Sequence, residues 1–211
     1  MKLTKYEHAC FTVEKDGVSL VIDPGAFTTD FSTPDNVAAI IITHRHQDHY
    51  DREQMSEIMD DNPDAMIIAP LDITRELTQY ETRPVAGGDS FTIGGFDIDI
   101  YGDAHATIHP ELPSIHNIGV LIDDRLFYPG DAFTVPEKSV DTLALPVSAP
   151  WMKLSEAIDY MRLIGARLTF PTHDAILSAT GRTVVDGTLS QFAESASTIY
   201  QRIDGDTIRI E

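Results

Sequence analysis

The amino-acid sequence predicts an α/β (α+β) protein in which two mostly antiparallel or mixed β-sheets pack face to face with helices outside. Three observations carry this expectation. Each half of the chain opens with strand-like runs and continues into a helix-like segment. Neighbouring runs are joined by short turn signals at Asp16-Gly17, Gly94-Gly95 and Asp123-Asp124, the chemistry that closes a β-hairpin. Residues 37–43 form a continuous apolar run, as expected of a strand buried on both faces. Sheets and helices that must each hide an apolar face stack into such layers.

The elements follow in order. Residues 3–6, 9–14 and 19–22 are short β-prone runs, and Asp23-Pro24-Gly25 stops the third. After the buried strand at 37–43, a helix is expected over 52–60, with Asp51 as its N-cap and Gln54 completing a box-like cap. Residues 65–69 read as a strand and 72–79 as a helix. In the second half, 90–93 and 96–101 form one hairpin, and 118–122 and 125–128 another. Residues 142–145 are a short apolar strand. Leu154, Ile158, Met161 and Leu163 give 153–164 a helical period. A strand at 167–170, a helix at 189–200 and a strand at 207–210 complete the chain.

Length and composition bound the function. The 211 residues show no repeat or linker and suit one domain, 1–211. The formal net charge is −19, with no cluster of Lys or Arg to offset it. Such a field repels phosphate backbones and anionic lipid, so nucleic acid and membrane are disfavoured and a small-molecule substrate is expected. No apolar run approaches the ~20 residues that cross a bilayer. The opening Met1-Lys2-Leu3-Thr4-Lys5 lacks a signal-peptide core, which points to the cytoplasm. Cys10 is the single cysteine, in an apolar stretch where a buried inert thiol is expected. Self-association stays open, a symmetric dimer being the commonest form.

The chemistry concentrates in Thr43-His44-Arg45-His46-Gln47-Asp48-His49-Tyr50-Asp51, directly after the buried strand. Imidazole nitrogen and carboxylate oxygen are the usual ligands of hydrolytic zinc. His44 and His46 lie two apart, so an extended backbone points both one way. Asp48 and His49 sit where the chain turns toward the helix and can address a second ion. A catalytic zinc takes about three protein ligands plus water, so more must come from elsewhere. His105, Asp131 and His173 each lie just past an expected strand end. His109 and His116 compete with His105; its distance from the 96–101 strand favours His105. His109 and His116 flank Pro110 and Pro113 in a loop able to cover a pocket, where they could orient substrate or protonate a leaving group or be plain surface histidines.

Other residues have two readings each. His8 borders the pocket or is a satisfied core histidine. Asp23 orients a ligand histidine through a hydrogen bond or simply ends a strand. Asp174 supports its neighbour His173 or caps a helix. Trp151, the sole tryptophan, is an apolar pocket wall or a core anchor.

Taken in order, His44, His46, Asp48, His49, His105, Asp131 and His173 resemble the pattern of the metallo-β-lactamase superfamily: His-x-His-x-Asp-His, a distant His, an Asp after Gly, and a final His. The resemblance spans nearly the whole chain, including Asp23-Pro24-Gly25. It implies a four-layer αββα sandwich with a two-metal site between the sheets. On that carry-over, His44, His46 and His105 hold one ion, Asp48, His49 and His173 the other, and Asp131 bridges both. His8-Ala9 and Asn117-x-Gly119 look like the short branch that is lactonase-like and N-acyl-phosphatidylethanolamine phospholipase D-like, which makes Asn117 a further pocket candidate.

Two dications would lower the pKa of a shared water toward ~7, and the bridging hydroxide would attack a carbonyl or phosphoryl centre. Asp48 or Asp131 could accept its proton. The expectation is a binuclear hydrolase of a small ester, lactone or phosphoester. Zinc is the default for so many nitrogens, and manganese or iron also fits. A phosphodiesterase is the main alternative, requiring a cation beside the metals, for which Arg45, Lys153 and Arg182 are candidates. A non-catalytic metal-binding module or an iron redox protein are the others.

Overall fold

A computed structural model describes residues 1–210. The first sheet begins with β1 (Lys2–Lys5), β2 (Phe11–Lys15) and β3 (Val18–Ile22), all antiparallel neighbours. Asp16 and Gly17 both have positive φ, at 54° and 78°, which two-residue hairpin turns require. β4 (Val37–Ile41), β5 (Met66–Ala69) and β6 (Thr82–Pro84) then add in parallel. Between β4 and β5 runs α1 (Arg52–Asp61), and before β6 the short α2 (Leu71–Thr74).

The second sheet opens with the hairpin β7 (Ser90–Ile93) and β8 (Phe96–Tyr101), followed by β9 (Gly119–Ile122) and β10 (Leu126–Tyr128), all antiparallel. β11 (Thr142–Pro146), β12 (Leu168–Thr172) and β13 (Ile199–Tyr200) continue in parallel, with α3 (Leu154–Ile164) and α4 (Ala179–Ser195) between them. The last strand, β14 (Thr207–Arg209), leaves this sheet and pairs antiparallel with β1. The strand orders are β14-β1-β2-β3-β4-β5-β6 and β13-β12-β11-β10-β9-β8-β7.

Three apolar clusters define four layers. Leu3, Phe11, Ile22 and Ile41 meet Ile98, Ile100, Val120 and Phe170 between the sheets. Ile40 and Ile42 face the other way, onto Met55, Ile58 and Met59 of α1. Leu143 and Leu145 do the same toward Ala157 and Met161 of α3 and Leu189 of α4. The alternation along β4 explains its unbroken apolar run, because both faces are covered. The architecture is the expected αββα sandwich. Truncating a fully buried residue such as Ile40 to Ala should cost ~2–5 kcal/mol. Among the described residues, no helix is long and apolar enough to cross a membrane.

Several local expectations need correction. The helix expected over 72–79 is the single turn α2; the amides of Glu76 and Leu77 bond only three residues back, to Ile73 and Thr74. That tightening delivers the chain into β6, which the sequence reading missed. The helix expected at 189–200 instead spans α4, capped by Ser178, whose hydroxyl accepts from the Gly181 amide at 3.1 Å. Gly181, Thr183, Val184 and Gly187 mask its first turns because they are weak helix formers. Its buried stripe of Val185, Leu189 and Ala193 runs at four-residue spacing. Residues 199–200, read as helix, form β13. Asp51 caps α1 by accepting from the Gln54 amide at 2.9 Å, but the Gln54 side chain donates to the Thr28 carbonyl instead, so only half of the expected box forms.

Candidate metal centre

All candidate ligands leave one edge of the sandwich. β3, β4, β8, β10 and β12 end there, and the chain enters β2 there, because Phe11 pairs with Ile22 at the end of β3. Residues following these ends therefore converge: Asp23 after β3, His44 to His49 after β4, His105 after β8, Asp131 after β10, His173 after β12, and His8 just before β2. Close backbone contacts hold these loops. A Cβ on Gly25 would sit 2.0 Å from the Asp48 carbonyl oxygen, and one on Gly130 would sit 2.3 Å from Asn117 Oδ1. Gly130 also has φ 62°, so glycine is required there on both counts. Asn117 clamps the turn carrying Asp131: its Nδ2 donates to the Pro129 carbonyl and its Oδ1 accepts from the Asp131 amide, both at 2.9 Å.

Two groups of potential ligand atoms result, each within 4.8 Å of one another. The first comprises His44, His46, His105 and Asp131; the second, His8, Asp48, His49 and His173. Asp131 lies between them, with Oδ2 3.3 Å from His105 Nε2 and 3.1 Å from His173 Nε2, and Oδ1 3.3 Å from His49 Nε2.

Hydrogen bonds fix which ring nitrogen faces inward. His49 Nδ1 donates to Asp23 Oδ2 at 2.7 Å, and His173 Nδ1 to the Ser148 carbonyl at 2.6 Å. His105 Nδ1 donates to the Ala106 carbonyl at 2.5 Å. The Thr43 hydroxyl gives its proton to Asp23 at 2.6 Å, so it accepts from His44 Nδ1 at 3.1 Å. Each of these rings therefore turns Nε2 toward the centre, a ligand anchored through its other nitrogen. His46 faces inward through Nδ1, 3.2 Å from His44 Nε2.

His8 differs. The Ala175 amide points at its Nδ1, 3.3 Å away, so Nδ1 is an acceptor and Nε2 carries the proton. That proton lies on Asp48 Oδ2 at 3.0 Å. His8 thus supports Asp48 rather than offering a free lone pair, although it sits within the second group. His8, Asp23 and His173 all adopt positive φ, at 54°, 44° and 59°. Strained backbone of this kind gathers at functional sites.

The donor set fits a cation. His49 Nε2, His105 Nε2 and Asp131 Oδ1 are buried without a hydrogen-bond partner, a costly state for polar atoms. His44 Nε2 and His46 Nδ1 lie 3.2 Å apart, a contact that one proton on His46 bridges in the absence of an ion. Burial, reinforced by neighbouring His49, drives the His44 pKa well down, and burial beside His105 lowers that of His46. Burial also opposes charge on His49 and His173, but Asp131 outweighs it, raising His49 well above its usual value and His173 to about 9. Burial works against ionised Asp131 and Asp48 too, yet His49 and His173 hold Asp131 low, and His173 and His8 hold Asp48 low. His8 is pushed down to about 4 by burial, against its bond to Asp48.

The remaining candidates divide. Trp151 donates its indole N–H to Asp131 Oδ2 at 2.9 Å, a polar contact that neither pocket wall nor core anchor anticipated. Asp174 faces away from the centre and pairs with Arg202 and Arg182, while Ser178 takes the helix cap. His109 lines a cavity of about 570 Å³ that opens on His46 and His105. His116 is exposed and lies 3.5 Å from Asp103, outside the residues lining that cavity. Burial pushes the Cys10 thiol up to about 12, in keeping with an inert core residue. Sequence reasoning missed Tyr128, whose hydroxyl donates to Asp23 at 2.9 Å. It also missed Thr43, which binds the same carboxylate through its amide and hydroxyl. Both lie at the end of a strand next to a proposed ligand loop, the one signal that could have drawn notice.

Comparison with known proteins places the chain in a family and a fold. The family described as the beta-lactamase superfamily domain matches residues 2–173. Protein Rv0786c of Mycobacterium tuberculosis is 38% identical over 196 residues, covering 90% of this chain and 92% of its own. A UPF0173 metal-dependent hydrolase of Anoxybacillus flavithermus is 34% identical over 99 residues, 44% of this chain and 42% of its own. A metallo hydrolase from the archaeon Ignicoccus hospitalis has the same fold, with TM-score 0.76 at 20% identity over 100% of this chain and 99% of its own.

Proposed function

Since this chain belongs to the β-lactamase superfamily, we propose that it holds two divalent ions in its paired clusters and hydrolyses a small ester, lactone or phosphoester. Metal-dependent hydrolysis is the activity class of the family. The finer reading rests on one observation: His49 Nε2 and His105 Nε2, one from each cluster, are buried without hydrogen-bond partners beside the Asp131 carboxylate, whose own Oδ1 is likewise unpartnered. His44, His46 and His105 would hold one ion, Asp48, His49 and His173 the other, and Asp131 both. Ions so held supply Lewis-acid polarisation of the substrate oxygen and acidify water; zinc suits the nitrogen-rich half.

The protein's own groups set the rest. Asp48 is placed to accept a proton at the second cluster, where its Oδ2 lies 3.7 Å from His49 Nε2 and 3.3 Å from His173 Nε2. His8 keeps that carboxylate oriented. Trp151 holds Asp131 through its indole N–H on Oδ2. His109 accepts from the Glu111 amide at Nδ1, 3.2 Å away, so its Nε2 bears a proton. It is an imidazole donor on the cavity wall, placed for the substrate carbonyl or leaving group. Of the three cations that a phosphodiesterase could use, Arg45 pairs with Glu76 and Asp72 and Arg182 with Asp174, which leaves Lys153 as the remaining candidate.

Elemental analysis of the purified, metal-repleted protein tests the reading. About two equivalents of zinc or manganese per chain are expected. Less than one equivalent refutes the binuclear site, and two iron with redox-dependent spectra would assign the protein to redox chemistry instead.

A further inference from the structure

The cavity beside His46 and His105 has a composition that bears on what it takes. Its volume of about 570 Å³ lies within the range of small-molecule pockets. The segment 106–115 supplies most of its walls, with Ile108, Leu112, Pro113 and Ile115 giving apolar surface and Thr107, His109 and Ser114 uncharged polar surface. Ile108 and Leu112 are exposed, Leu112 by 54%. No Lys, Arg, Asp or Glu is among the residues lining it. The nearby cleft that does contain arginine, with Arg45 and Arg52, balances it with Asp51, Asp72 and Glu76.

Charge and shape lead to one substrate class. A carboxylate or phosphate on the part of the substrate remote from the scissile bond would lose water in this cavity without gaining a counter-ion. It would also enter against a net charge of −19. An aliphatic chain would cover side chains that otherwise face water.

We infer that the substrate is an uncharged carboxylic ester or lactone whose apolar acyl portion occupies the cavity walled by Ile108, Leu112, Pro113 and Ile115. The inference rests on the hydrolase reading above and narrows it to acyl substrates, excluding acyl chains that end in a carboxylate. The reaction is a hydrolysis. The hydroxyl of water bonds to the acyl carbon, the acyl C–O bond breaks, and the leaving oxygen takes a proton. The products are a carboxylic acid and an alcohol, joined in one molecule when the substrate is a lactone.

The test compares matched probes on metal-loaded protein. p-Nitrophenyl acetate, butyrate and hexanoate should show kcat/KM rising about fourfold per methylene while the cavity has room. p-Nitrophenyl hydrogen adipate, of the same acyl length as the hexanoate, should fall at least tenfold below it, and bis-p-nitrophenyl phosphate further still. Leu112→Lys, on an exposed loop where folding is tolerant, should raise the adipate-to-hexanoate ratio at least tenfold. A binding readout independent of turnover follows Trp151 fluorescence with 2-octanone and 7-oxooctanoate, the neutral ketone binding at least tenfold tighter. Preference for adipate, phosphate or oxooctanoate overturns the inference and leaves the hydrolase reading standing. Failure to hydrolyse any probe, with two metals bound, overturns both.

Discussion

His44, His46 and His105 surround one side of Asp131 with three imidazoles, whereas on its other side His49 and His173 meet a second carboxylate, Asp48, and His49 leans on a third, Asp23. The two half-sites share a bridge and a sheet edge, yet they hold protons in opposite ways. In the first, burial favours neutral His44 and His46. In the second, carboxylates overcome burial and keep His49 and His173 protonated in the metal-free protein. A cation entering the first half-site displaces little, while one entering the second must expel protons. Carboxylate content thus sets both the charge a half-site offers and the pH at which it opens.

The largest expected effect removes what the halves share. Asp131→Asn leaves His49, His105 and His173 without their common carboxylate and should lower kcat/KM about a thousandfold, roughly 4 kcal/mol, with metal content below one equivalent. Retention of both ions and full activity would refute the bridging role. Asp23→Asn acts on the second half through His49 and should weaken one ion about 10–100-fold, read by titration against a competing chelator. Equal weakening of both ions would mean that Asp23 serves the halves alike through Thr43. His8→Gln separates donor from ligand. As a donor to Asp48, its replacement by an amide donor should weaken one ion about tenfold and keep the stoichiometry at two. Loss of an ion outright would make His8 a ligand.

The smallest effects concern protons. Calorimetric titration in buffers of different ionisation enthalpy should show release of about one to two protons with the second equivalent of metal near pH 7 and almost none with the first. Equal release from both would erase the contrast. In the metal-free protein, His173 titrates near 9, above the ~6.5 of an unfolded histidine. Its contribution to stability is complete below about pH 6.5 and disappears as pH rises through about 9. His8, at about 4, acts oppositely, its contribution fading as pH falls from about 6.5 toward 4. Urea unfolding of chelator-treated protein should show lower stability at pH 9.5 and at pH 4 than near pH 6.5.

Much of this was present in the sequence because it is local. Two-residue turns, alternating apolar faces and the His-x-His-x-Asp-His spacing depend on neighbours a few positions apart, and they placed the hairpins, β4 and the ligand loops. The seven proposed ligands could be picked out because each follows a strand end. Tertiary structure alone decided what spans long separations: the Ala175 amide that makes His8 a donor, 167 positions away; the Tyr128 hydroxyl on Asp23, 105 positions away; and Trp151 on Asp131. It also decided that β14 returns to the first sheet and that α4 starts ten residues before its visible apolar period. Periodicity reports which face of an element is buried; which partner waits at that face, and which ring nitrogen it leaves free, depends on packing between distant segments.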